Sequence, residues 1–192
     1  MKLFTESPNF LQTIVSEAET NNESARQLVD GLSEEQLNWK PSAKQWSMAQ
    51  CLEHLAVASG GFNGYFAQTI ERARHRWPTT GAVPYRPTLV GGLLIKQIVP
   101  ETTRRVPAPK IFRPTDSSSI HDALSIFLKQ QDAFLGFVRQ SEGIDYNRAR
   151  LRSPVTPLMR YSLADAFVVT IVHEARHLAQ TARVRATNGF PN

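Results

Sequence analysis

A single cysteine, Cys51, in 192 residues excludes a disulfide within the chain. Long apolar runs are missing as well. No stretch approaches the roughly 20 residues that a membrane-spanning helix requires. The first residues, Met1-Lys-Leu-Phe-Thr-Glu-Ser-Pro-Asn9, hold no apolar signal core. A soluble, cytoplasmic protein is therefore expected. Internal repeats and low-complexity tracts are also absent, and 192 residues with 41% hydrophobic content suit one domain, 1–192, around one core. Acidic residues are the minority charge, 17 against 22 lysines and arginines, for a net charge of +5. Such an excess raises nucleic-acid binding. However, no recognised nucleic-acid motif contains Arg72, Arg74, Arg76, Arg104, Arg105, Arg148, Arg150, Arg152, Arg183 or Arg185, which look scattered. A solvated basic surface is expected instead, with a small-molecule substrate, anionic by preference, as partner. A homodimer is left open.

What is present reads as helices. A first helix is predicted from about Asn9 to Asp30, with Phe10, Ile14, Ala18, Ala25 and Leu28 on its apolar side and Gly31 ending it. Ser33 with Gln36 is a capping box for a short turn closed by Pro41. Ser47 with Gln50 is another, starting a second helix that should reach about Arg74. Seven of the twelve prolines lie between Trp77 and Pro114, too many for a continuous helix, although Leu89 to Val99 is apolar enough for a short helix or a docked strand-like run. This 77–118 segment could cover the mouth of a site, contact a second subunit or pack on the outside. The third helix has Ile120, Leu124, Phe127, Leu128, Phe134, Leu135 and Val138 on one face, Ser119 with Asp122 at its start and Gly143 at its stop. Arg148 to Arg160, with Pro154 and Pro157, should run extended until Ser162 and Asp165 cap a fourth helix. The fold class is all-α, a four-helix bundle with a long proline-rich connection between the second and third helices.

Chemistry concentrates in the fourth helix, at His173-Glu-Ala-Arg-His177. Four residues make about one turn, so both imidazoles leave one face and can close on one cation. Steps of three and four from Leu163 give Ala166, Thr170, His173, His177, Gln180 and Val184, the seam that a bundle helix turns inward. Buried imidazoles need partners, and a metal is one way to supply them. The pentapeptide also fits the zincin motif, in which the glutamate activates water. Beyond His177 no Asp, Glu or His follows, so a third ligand must lie upstream and the metzincin extension is missing. The upstream candidate is His54, beside the stripe of Met48, Cys51, Leu55, Ala58 and Phe62, where a core ring bonded to a neighbour is the competing reading. Cys51 is either a fourth ligand or packing. His75 and His121 read as surface residues, and Trp46 as an anchor at a helix start.

Leu37-Asn-Trp-Lys-Pro41, the Trp46-Ser47 helix start with a histidine eight residues after the tryptophan, and the terminal His-x-x-x-His-x-x-Gln occur in an order and spacing that resemble the DinB-like (YfiT-like) metal-binding four-helix bundles. The resemblance spans the chain. It implies metal ligation by His54, His173 and His177, and activities that include thiol-dependent transfer with a low-molecular-weight thiol such as bacillithiol or mycothiol. The long proline-rich segment and the glutamate after His173 depart from the pattern.

Three neutral histidines leave a divalent metal with net positive charge and an open position, the arrangement of catalytic zinc. Zinc is the first choice and nickel the second. Gln180, one turn beyond His177, is placed to hydrogen-bond a ligand or a metal-bound water. Glu174 is a candidate general base or a partner that orients a histidine, with a salt bridge to an arginine as the alternative. The expected function is a metal-dependent enzyme of the thiol S-transferase or hydrolase kind. The opposing expectation is a non-catalytic binding module with a structural or vestigial metal.

Overall fold

A computed structural model describes residues 1–100, 107–115, 121–156 and 158–191. Ser119, Ile120, Arg104, Arg105 and Pro157 lie outside them. The elements in order are α1 (Lys2–Thr5), α2 (Phe10–Val29), α3 (Glu34–Asn38), α4 (Met48–Gly60), α5 (Asn63–Arg76), α6 (Leu89–Ile98), a 3₁₀ turn (Lys110–Phe112), α7 (Ala123–Gln140), β1 (Arg150–Arg152), β2 (Arg160–Ser162) and α8 (Leu163–Arg185). Helices α2, α4, α7 and α8 pack against one another as a four-helix bundle, and α6 lies along α8.

Local chemistry sets most boundaries. Ser33–Gln36, Ser47–Gln50 and Ser162–Asp165 each form the reciprocal box, in which side chains satisfy amides that a helix start leaves unpaired. Asn9 caps α2, and Gly31 leaves it at φ +69°, a conformation open to glycine at little cost. Gly143, at φ +75°, follows the end of α7. At the start of α7 the cap residue is Asp122, left-handed at φ 55°, and its side chain makes no cap bond.

The structure differs from the sequence reading in the second helix and adds strand pairing to the extended 148–160 stretch. The second helix is not continuous to Arg74: it breaks after Gly60 into α4 and α5. Two glycines stand at the break and are closely packed: a Cβ on Gly61 would stand 2.7 Å from the Phe112 ring and one on Gly60 would stand 3.2 Å from Gln130. The 148–160 stretch contains a strand that pairs with β2 as an antiparallel ribbon, Arg150 opposite Ser162 and Arg152 opposite Arg160, with Leu151 and Tyr161 buried.

The core has two parts. One gathers Phe10, Ile14 and Ala18 of α2 with Phe66, Phe134, Phe167 and Ile171. The other gathers Ala25, Leu52, Leu55, Phe127 and Leu178. Along α2, α7 and α8, the residues between the two parts are polar and buried: Asn21, Gln131 and Glu174. Asn21 Nδ2 donates to Glu174 Oε2 at 3.2 Å and Gln131 Nε2 donates to Oε1 at 2.6 Å, so three helices meet at one carboxylate.

Candidate metal centre

His54 on α4 and His173 and His177 on α8 come together at this polar level, one ring nitrogen from each lying within 4.8 Å of the others. Ring centroids are 5.0 Å (His54–His173), 4.5 Å (His54–His177) and 4.6 Å (His173–His177) apart. His54 Nδ1 is 2.6 Å from the Phe112 carbonyl oxygen. A carbonyl only accepts, so Nδ1 carries the proton and Nε2 presents a lone pair. His177 Nδ1 likewise donates to Gln180 Oε1 at 3.0 Å, which leaves its Nε2 bare. The His54 and His173 Nε2 atoms stand 3.2 Å apart. Without a cation that contact requires His173 to donate the hydrogen; with His173 deprotonated at Nε2, the three rings can instead offer their lone pairs to a divalent cation. The donor set, two rings already held by the opposite nitrogen, fits a divalent metal in the way that oriented metal-binding histidines do.

Electrostatics also favour neutral rings. Burial pushes the His54 pKa down, against the Phe112 bond, which raises it. His177 is lowered to about 3, first by burial and then by its neighbour His54. His173 lies well below the ordinary histidine range, by burial and the two adjacent rings. Neutral imidazole is the metal-binding form.

The histidines open on a cavity of about 800 Å³. Its walls include Leu55, Ala58 and Phe62 from α4 and the turn after it, Leu94 and Ile98 from α6, and Pro107, Pro109 and Phe112 from the proline-rich connection. The described part of that connection therefore walls the site and contributes the carbonyl that orients His54. Lys44, Arg176 and Arg183 add cationic groups to the lining.

Gln180 stands against His177, as its spacing indicates. Glu174 is 1% exposed, and its partners are the amides of Gln131 and Asn21 rather than an arginine. Opposing effects set its pKa: burial raises it, to about 7, while the two amides pull it down. Cys51 is not part of the histidine group; its buried thiol is pushed up to about 12 by desolvation, and Thr181 is its hydrogen-bond partner. His75 pairs with Glu71 at 3.2 Å and His121 with Glu34 at 2.7 Å, both on the exposed surface.

Three features of the site were missed in the sequence. The Trp46 ring lies 4.9 Å from His54 and 5.9 Å from His177, so this helix-start anchor also packs on the histidine rings. Asn21 and Gln131 interrupt the apolar stripes of α2 and α7, a signal that was readable in hindsight. The Phe112 carbonyl has no side-chain signature at all.

An all-α bundle with a three-histidine group facing a cavity defines the class of protein. Residues 17–181 match the DinB superfamily, and the chain belongs to it. No curated protein and no solved structure is significantly similar to the chain.

Proposed function

We propose that this DinB-superfamily protein is a metal-dependent enzyme acting on a small molecule, with His54, His173 and His177 as ligands of a divalent metal, zinc first and nickel second. The observation that carries the reading is the position of the three ring nitrogens on the wall of an 800 Å³ cavity rather than in a sealed core. A divalent cation held by three neutral imidazoles keeps its positive charge and lowers the pKa of a thiol or water beside it. That chemistry suits a thiol S-transferase or a hydrolase.

The chain's own residues supply the rest. Leu55, Phe62, Leu94 and Ile98 exclude water and accept an apolar body, while Lys44 and Arg183 favour an anionic group on the same molecule. Gln180 spends its carbonyl on His177 and keeps its amide hydrogens to donate into the cavity. Both oxygens of Glu174 are engaged by amides, so its role here is to hold α8, and with it His173 and His177, against α2 and α7.

The test uses the full-length, tag-free chain loaded with zinc or nickel. It is offered an electrophile with bacillithiol, mycothiol or glutathione in turn, and ester and amide substrates without thiol. Metal-dependent turnover that His54→Ala, His173→Ala and His177→Ala each abolish together with metal binding is expected. Glu174→Gln should retain metal and most of the activity; a metal-replete Glu174→Gln chain without activity would identify Glu174 as a general base instead. No turnover above the histidine variants in any arm would favour the non-catalytic binding module.

A further inference from the structure

A second cavity, of about 260 Å³, borders the β1–β2 ribbon and shares no lining residue with the first. Tyr65, Gln68, Thr69 and Arg72 form one face of α5, and β1 and β2 contribute Arg150, Arg152 and Arg160. The arginines that look scattered along the sequence are thus partly gathered. Arg150 and Arg152 point to one side of β1, alternating with buried Leu151, and Arg160 stands directly opposite Arg152. Like charges in opposite positions of an antiparallel pair are unfavourable. Among the described residues, none of these four arginines makes an ion pair. Arg72 is held in place, its Nε donating to the Gln68 carbonyl at 3.1 Å and its terminal nitrogen to Thr69 Oγ1 at 3.3 Å.

We propose that this groove is an anion site for an oligophosphate, the linked phosphates of a nucleotide or of inorganic pyrophosphate. Charge selects the class. A single phosphate group carries about −1.5 to −2 at neutral pH, too little to balance four guanidinium groups, whereas two or three linked phosphates match them. Guanidinium geometry favours phosphate oxygens through paired hydrogen bonds. The volume holds a phosphate chain but not a whole nucleotide, so a base would lie outside, against the Tyr65 ring, which is 37% exposed.

The test is calorimetric titration of the full-length chain at low ionic strength with a chelator present, so that no metal at the histidines contributes an anion contact. ATP, inorganic pyrophosphate and orthophosphate are the probes. Saturable binding of ATP and pyrophosphate is expected, with orthophosphate about tenfold weaker or more. Arg152→Gln and Arg160→Gln, both at exposed positions, should each weaken binding about tenfold while the melting temperature holds. Arg26→Gln, on the remote helix α2, should change nothing. If Tyr65→Ala weakens ATP alone, the site takes nucleotides; if it leaves both probes unchanged, the site takes the inorganic anion. Absence of saturable heat with ATP and pyrophosphate, or an equal loss in Arg26→Gln, would overturn the proposal.

Discussion

Gln180 bears on the histidine group through a single hydrogen bond. By accepting from His177 Nδ1 it fixes both the ring's angle and the nitrogen left bare. Gln180→Leu should therefore weaken metal binding about 10- to 100-fold, read by competition with a chromophoric chelator. An unchanged affinity would mean that packing alone orients His177. The buried rings also set an acid limit for the metal-free protein. Their folded pKa values lie below the ordinary 6.5, so as pH falls the unfolded chain takes up protons first. Stability is then full above about pH 6.5 and is lost progressively below it, for His177 down to about pH 3. Melting temperatures of the chelated protein from pH 7 to pH 4 check the slope, which should be shallower in His177→Ala. Equal slopes in the two chains would contradict the assignment.

Among the elements, α6 is fixed by a buried carboxylate. Asp165, inside the capping box of α8, also accepts from the Tyr85 hydroxyl at 2.8 Å and the Thr88 hydroxyl at 2.7 Å. Gly91 passes so close that any Cβ would collide with that carboxyl group. Gly91→Ala should cost about 1–3 kcal/mol and displace α6 from the cavity wall, seen as a lower melting temperature and altered protection of α6 amides in hydrogen exchange. A wild-type melting temperature would refute the close approach. What was legible in the sequence belongs to this scale and is local. The capping boxes and the His173–His177 turn depend on residues within four positions of one another, so pattern reading finds them. The α4–α5 break does not: Gly60 and Gly61 there pack against Gln130 and Phe112, contacts made from far along the chain.

For the whole molecule, the bundle with its three histidines was readable from order and spacing, whereas the cavity was not. Its outer wall is the proline-rich connection, whose path follows from long-range docking: the Thr115 amide donates to Glu53, and the Phe112 carbonyl accepts from His54 Nδ1. The arginine groove escaped for the same reason, since it joins α5 to a ribbon about 80 residues later. Two apolar clusters flank the polar level, so the fold has its own core and metal is not its principal support. Chelation should lower the melting temperature only moderately, while complete unfolding would mark the metal as structural. No helix of the described residues is long and apolar enough to cross a membrane. The central claim, that the three histidines form a metal centre, is tested most directly by elemental analysis of tag-free protein beside the His54→Ala/His173→Ala/His177→Ala chain. About one equivalent of divalent metal per wild-type chain and none in the variant is the predicted result; equal metal in both, or none in the wild type after incubation with zinc or nickel, would contradict it.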